Sequence, residues 1–143
     1  MPAGETPSIA DYPHVRTIGT RWKDNDVYGH VNNVEYYSFF DTVINAWLIE
    51  QGGLDIHAGG TIWVCAESNC RFLESVAFPE AIRAGLRVAR IGSSSVAYEI
   101  GLFRDDGTAL AEGHFIHVFV DRSDRRPREI PEALRSCLER IGP

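Results

Sequence analysis

NNVEYYSFFDTVINAWLIEQ, residues 32–51, followed by Gly52-Gly53, is the stretch that decides the fold. Tyr36, Phe40, Val43 and Trp47 recur at helical spacing with Phe39, Ile44 and Leu48 beside them, while Ser38, Asp41 and Asn45 fall on the other side. Asn32 with Glu35 three residues on has the spacing of an N-cap and its reciprocal partner. The glycine pair supplies the stop. The spacing predicts one helix of about five turns over 32–51. A stripe this rich in aromatic residues needs a broad surface to bury it.

On either side of that stretch the periodicity changes to that of strands. His14–Trp22 alternates loosely and is rich in β-branched and aromatic residues, which predicts a strand before the helix. Thr61–Leu73, Val96–Arg104 and Ala109–Asp121 read as strands after it, with Asp105-Asp106-Gly107 as a tight turn between the last two. Ala81–Ile91 is ambiguous. Pro79-Glu80 suits a helix start, yet Ile82, Ala84, Leu86 and Val88 alternate with Arg83 and Arg87 opposite, which favours a strand in a hairpin. Ala109–Asp121 is apolar on both faces, so burial on both sides is expected, by the helix on one and a second subunit on the other. Pro131-Glu132 opens a short helix with Leu134, Leu138 and Ile141 on one side. The order is strand, long helix, four strands, which is an α+β arrangement of one helix on one antiparallel sheet. Residues 1–13 read as a flexible leader and 14–143 as one domain.

With 143 residues there is room for one domain, and 44% hydrophobic with 24% charged residues is an ordinary globular balance. Such a chain buries one core but cannot also wall off a large private cavity, so a site shared between subunits is expected. A formal charge of −6 argues against a nucleic-acid partner. No apolar run approaches the roughly 18 residues of a membrane span, and the first residues lack a signal pattern. Cys65, Cys70 and Cys137 are odd in number and without C-x-x-C spacing, which argues against a disulfide framework and a structural zinc site. Cys65 and Cys70 are expected on opposite faces of their strand. Free thiols point to a reducing compartment, the cytoplasm.

The chemistry sits just before the helix. Arg21-Trp22-Lys23-Asp24-Asn25-Asp26-Val27-Tyr28-Gly29-His30-Val31-Asn32-Asn33 resembles the D-x-D-x-x-G-H-V-N-N signature of hotdog-fold acyl-CoA thioesterases related to 4-hydroxybenzoyl-CoA thioesterase. Tyr36-Tyr37-Ser38-Phe39-Phe40-Asp41 is similar to that family's aromatic central helix, and Arg90–Ser95, Asp105–Gly113 and Val118–Asp121 resemble its later strands in the right order. The resemblance implies a hotdog fold, an antiparallel sheet wrapped around one long helix. It also implies pairing of two subunits into a continuous sheet, as a homodimer or homotetramer, with sites at the subunit boundary and no metal or redox cofactor. In this family the second aspartate of the motif is catalytic, and Asp26 stands there. A carboxylate can attack a thioester carbonyl or take a proton from water. A donor must then stabilise the oxyanion. The resemblance assigns that to the backbone N–H of Asn33, at a helix start where N–H groups lack internal partners and the dipole favours negative charge. Gly29 would allow the tight turn.

Other readings of the same residues are concrete. Asp24, Asn25, Asp26 and Gly29 suit an ordinary turn with an N-cap. Asp24, Asp26, Gly29 and Glu35 also fall at positions 1, 3, 6 and 12 of a calcium loop, but Tyr28 lacks a short oxygen ligand and the segment before reads as a strand. Tyr28 and His30 are candidates for touching substrate. His30 as a second acid/base group lacks a partner, and a ring bonded to backbone is expected. His114 and His117, three apart on a strand, face opposite ways and are no metal pair. Coenzyme A phosphates call for arginine, whose fork binds two oxygens at once. Arg90 with Ser94, and Arg125 with Arg126 in the run Arg122–Arg128, are the candidates against a solvated turn containing Asp121 and Asp124. Two other functions are compatible with the fold. One is a hotdog dehydratase on acyl thioesters, whose His–Asp/Asn helix motif is not found here. The other is a non-catalytic acyl-CoA-binding module, for which a carboxylate at position 26 would only repel the ligand.

Overall fold

The computed structural model describes residues 5–143. In chain order the elements are β1 (His14–Gly19), α1 (Asn33–Gly52), β2 (Thr61–Phe72), β3 (Ala81–Ile91), β4 (Ser95–Phe103), β5 (Ala109–Asp121) and α2 (Glu132–Glu139). Short 3-10 turns at Ile9–Asp11 and Trp22–Asp24 precede β1 and α1. All five strands join one antiparallel sheet in the order β1-β3-β4-β5-β2, which leaves β1 and β2 at the edges. This is the hotdog fold expected from the sequence, and Ala81–Ile91 is a strand.

α1 buries Tyr36, Phe39, Phe40, Val43, Ile44 and Leu48 in one cluster with Leu86, Val96, Tyr98, Ile100, Phe115 and Phe119 of the sheet. Each such side chain, fully buried, contributes about 1.5–3 kcal/mol. Close approach is possible because β5 carries Gly113 under the helix, where a Cβ would overlap the Phe40 ring. α2 adds Leu134, Cys137 and Leu138 to the buried set. His117 lies buried on the helix side, its ring stacked on Trp63 at 5.3 Å and edge-on to Phe115 at 4.9 Å. Burial pushes its pKa down to about 4. His114 is exposed on the opposite face, as the strand alternation predicts.

Three local expectations are corrected. Asn32 caps α1, its Oδ1 accepting the Val34 N–H at 3.2 Å, but Glu35 does not answer. The Asn32 N–H is already given to the Asp24 carbonyl at 2.8 Å, and Glu35 faces Arg21 instead, at 3.3 Å. β1 ends at Gly19 and not at Trp22, because the chain turns into the 3-10 segment. Cys65 and Cys70 share a face: a bulge between Cys65 and Glu67 inserts one residue, so their partners on β5 are His117 and Gly113, four apart.

Of the leader, residues 1–4 lie outside the described residues, and 5–13 lie against the outer face of the sheet. Tyr12 is buried there with its ring 5.8 Å from Phe103. The Arg87 guanidinium sits 4.8 Å over that ring and donates to the Asp11 carbonyl at 3.1 Å. No helix among the described residues is long and apolar enough to cross a membrane.

Candidate active site

Between β1 and α1 the chain folds into a miniature hairpin. The Asp24 carbonyl accepts from the Asn32 N–H at 2.8 Å, Asn25 bridges Val31, and the Asp26 N–H donates to the His30 carbonyl at 2.9 Å. Gly29 closes the tip by donating to the Asp26 carbonyl at 3.1 Å. Its φ of 85° is the left-handed conformation that glycine adopts without cost. Asp26 Oδ1 accepts the Tyr28 N–H at 2.9 Å, an Asx turn. Its other carboxylate oxygen has no partner among the described residues. The hairpin is moored to the chain after β2, where the Val31 N–H donates to the Val76 carbonyl at 2.8 Å and Asn25 Oδ1 accepts the Phe78 N–H at 3.0 Å.

Asp24 plays a different part from Asp26. Its side chain is fully buried and accepts from three N–H groups of one residue: the Arg21 backbone N–H at 2.7 Å, Nη2 at 3.0 Å, and Nε, shared between both oxygens at 3.2 and 3.4 Å. Burial alone would push this carboxyl up, but Arg21, with Lys23 behind it, more than offsets that and holds it below the usual carboxylate range. No oxygen is left for a calcium ion.

The first turn of α1 completes the site. The Asn33 N–H has no acceptor among the described residues, and the helix dipole adds positive potential there. Trp22, Asn25, Asp26, Tyr28, Gly29 and Asn33 line one cleft of about 750 Å³. On the far side of Asn33 a second hollow of about 310 Å³ is lined by Val31, Tyr36, Phe72 and Leu73. Tyr36 and Phe72 meet edge to face there at 4.9 Å. Asn33 thus borders both a cleft that holds the Asp26 carboxylate and a hollow that holds two aromatic rings.

The model of the thioesterase-like superfamily matches residues 20–138. The chain belongs to that superfamily. Among solved structures, the PA5185 protein of Pseudomonas aeruginosa is 50% identical, with a TM-score of 0.94 over 96% of this chain and 97% of its own. A 1,4-dihydroxy-2-naphthoyl-CoA thioesterase from Synechocystis is 13% identical, with a TM-score of 0.79 over 87% of this chain and 93% of its own. A DHNA-CoA thioesterase from Staphylococcus aureus is 16% identical, with a TM-score of 0.78 over 88% and 86%. At such identities the last two share the fold alone. Comparison with curated proteins gives no significant match. The sequence and fold agree on a hotdog thioesterase of the 4-hydroxybenzoyl-CoA thioesterase type.

Within this thioesterase-like chain the residues expected at the site divide in two. Asp26, Tyr28, Gly29 and Asn33 come together around one cleft. His30 is exposed at the hairpin tip. Its carbonyl bonds Asp26, whereas its ring bonds nothing among the described residues, contrary to expectation. Arg90, Ser94, Arg125 and Arg126 lie at the other end of the sheet. Phe72, beside the cleft, pairs with Ala111, while Thr61, beside the arginine turn, pairs with Asp121. Ten residue steps of β5 separate those two ends, about 34 Å. One chain therefore does not bring these arginines to Asp26. Arg122 is committed to the Gly59 and Ile56 carbonyls, both at 2.7 Å, and Arg128 to Asp121 and Asp124. Arg90, Arg125 and Arg126 are exposed.

Three residues at the site were missed. The strand expected over His14–Trp22 hides the role of Trp22, which is 78% exposed at the cleft wall. Tyr36 was assigned to the helix core alone. Phe72 follows the β2 bulge, so simple alternation from Thr61 puts it on the wrong face. An aromatic residue inside the motif that fits neither period was the one signal available, at Trp22.

Proposed function

We propose that the protein hydrolyses acyl-coenzyme A thioesters to the free acid and coenzyme A, with Asp26 as the reacting carboxylate and the Asn33 N–H as oxyanion donor. The observation that carries this is a single cleft holding an Asp26 oxygen without a partner, and a helix N–H without an acceptor, among the described residues. Either Asp26 attacks the carbonyl carbon and water then releases the acyl group, or Asp26 takes the proton from water as that water attacks. In the first route the C–S bond breaks as an Asp26–acyl anhydride forms, and coenzyme A leaves as its thiolate. Water then splits the anhydride to the free acid and supplies the proton the thiolate takes up. In the second, Asp26 passes the proton taken from water to the departing sulfur. The Asn33 donor favours the charge that builds on the carbonyl oxygen. The acyl group would enter the hollow of Val31, Tyr36 and Phe72. The test is thiol release from a panel of aryl-, short- and long-chain acyl-CoAs. Turnover of at least one ester is expected. Binding without thiol release would favour a non-catalytic module, and water loss from a 3-hydroxyacyl thioester would favour a dehydratase.

The second half of this proposal is that coenzyme A lies across a subunit boundary. β2 is an edge strand with Cys65, Ala66, Glu67 and Asn69 exposed, and such an edge is a ready template for another strand. A second copy added antiparallel along it would set its Thr61 end and arginine turn beside the first copy's Phe72 end, where Asp26 lies. Light scattering should show a dimer or tetramer. Replacing Arg125 and Arg126 by Ala should raise KM for acyl-CoA about tenfold, the scale of two partly exposed charge-assisted contacts. kcat should barely change, because phosphate contacts are equal in ground and transition states. The effect should shrink at high salt and vanish with a pantetheine thioester. A monomer, or an unchanged KM, would remove these arginines from the site. The three free thiols accord with a reducing cytoplasm, where this reaction is placed.

A further inference from the structure

We propose that Asp24 is a positioning residue for this site: its buried carboxylate clamps Arg21 while its backbone carbonyl holds the start of α1, which fixes Asp26 relative to the Asn33 N–H. This rests on the assignment of Asp26 above.

Asp24 does not line the cleft, and its side chain is fully buried. The Arg21 side chain is half exposed, so solvent screens its pair with Asp24 and the pair adds little to stability. The arrangement has a geometric consequence instead. Three N–H groups of Arg21, two of the guanidinium and one of the backbone, hold the Asp24 carboxylate in place. The Asp24 carbonyl takes the Asn32 N–H at 2.8 Å. Asp26 is two residues beyond one end of that bond, and Asn33 is the next residue beyond the other. Arg21 also extends to Glu35 on the first turn of α1, at 3.3 Å, and Lys23 lies 3.9 Å from Asp24 and 4.0 Å from Glu35. The base of the hairpin, its preceding turn and the helix start are thus tied at three points. Reacting groups displaced by about 1 Å can lose about 10²-fold in rate, and groups so placed need a supporting layer to hold them.

The test is Asp24→Asn in the full chain. Asn keeps an oxygen for the Arg21 N–H and loses the charge that holds the guanidinium. Rates of thiol release would be taken per folded protein, with circular dichroism and thermal melting alongside. The expected result is a kcat of about one tenth of the parent's or below, with KM within about twofold of the parent. Glu35→Gln, which cuts only the outer tie, should lower kcat about threefold with KM unchanged. A parent kcat in folded Asp24→Asn, whatever its melting temperature, would make Asp24 merely structural and overturn the clamp. So would a loss confined to KM. Should Asp24→Asn fail to fold, Glu35→Gln decides: a parent kcat there overturns the proposal. Asp26→Asn run in parallel separates the two layers. If it is inactive while Asp24→Asn matches the parent, only the clamp fails. If it works at the parent rate, the assignment of Asp26 fails and the clamp with it.

Discussion

Asp26→Asn is expected to lower kcat by a factor of about 10² or more, with KM for acyl-CoA unchanged or slightly lower. The structure makes this a clean substitution. Asp26 Oδ1 accepts the Tyr28 N–H at 2.9 Å, and an asparagine oxygen can accept the same bond. The remaining hairpin bonds run through the backbone: the Asp26 N–H to His30 and the Gly29 N–H to the Asp26 carbonyl. Neither depends on the side chain, so circular dichroism and melting temperature should match the parent. What is lost is the ability to attack a carbonyl or to accept a proton from water. One negative charge also leaves a chain of net charge −6, which can only ease the approach of a polyanion. A drop in kcat without a rise in KM is the signature of a group acting in the transition state. Thiol release at the parent rate would move the reacting carboxylate elsewhere.

How much of this was legible in the sequence depended on the range of the interaction. α1 was legible because its signal is a stripe of seven apolar side chains in one continuous segment, and burial of that stripe is what the sheet provides. The strands were legible by alternation, including Ala81–Ile91, where Ile82, Ala84, Leu86 and Val88 are all buried. Asp26, Gly29 and Asn33 were legible because they lie within eight residues of one another and the turn that joins them is local.

Non-local facts escaped. Glu35 has the right spacing to bond back to Asn32, but the competing carbonyl of Asp24 comes from a hairpin whose closure spacing alone does not reveal. One inserted residue near Ala66 reverses the facing of everything after it on β2, so Cys65 and Cys70 share a face where plain alternation sets them on opposite ones. Chemistry alone groups the arginines with the site. β5 is legible at its full length, Ala109–Asp121, but which end of it lies near Asp26 depends on its pairing with β2, which the periodicity of one strand does not give. A second copy, expected from the two apolar faces of Ala109–Asp121, would reunite them.

The oxyanion donor admits a test of equal sharpness, because it is a backbone group at a position that tolerates proline. Asn33 is the first residue of α1, where proline's fixed φ suits a helix and its missing N–H breaks no internal bond. The residue before a proline prefers extended backbone, and Asn32 is already there at φ −60°, ψ 137°. The Asn33 N–H donates to nothing among the described residues, so Asn33→Pro removes no structural hydrogen bond. α1 should keep its helicity, and the melting temperature should stay level or rise slightly as the unfolded chain stiffens. kcat should nevertheless fall by about 10²–10³, the loss of about 2.7–4 kcal/mol seen when one oxyanion donor is deleted. Asn33→Ala is the matched control. It discards the side chain and keeps the N–H, and should cost no more than about threefold in kcat. If the proline variant turns over like the parent, the thioester oxygen is stabilised elsewhere. Equal losses in both variants would give the role to the Asn33 side chain. A large loss in the proline variant alone would tie the rate to one N–H at the head of α1, the group that the hairpin holds beside Asp26.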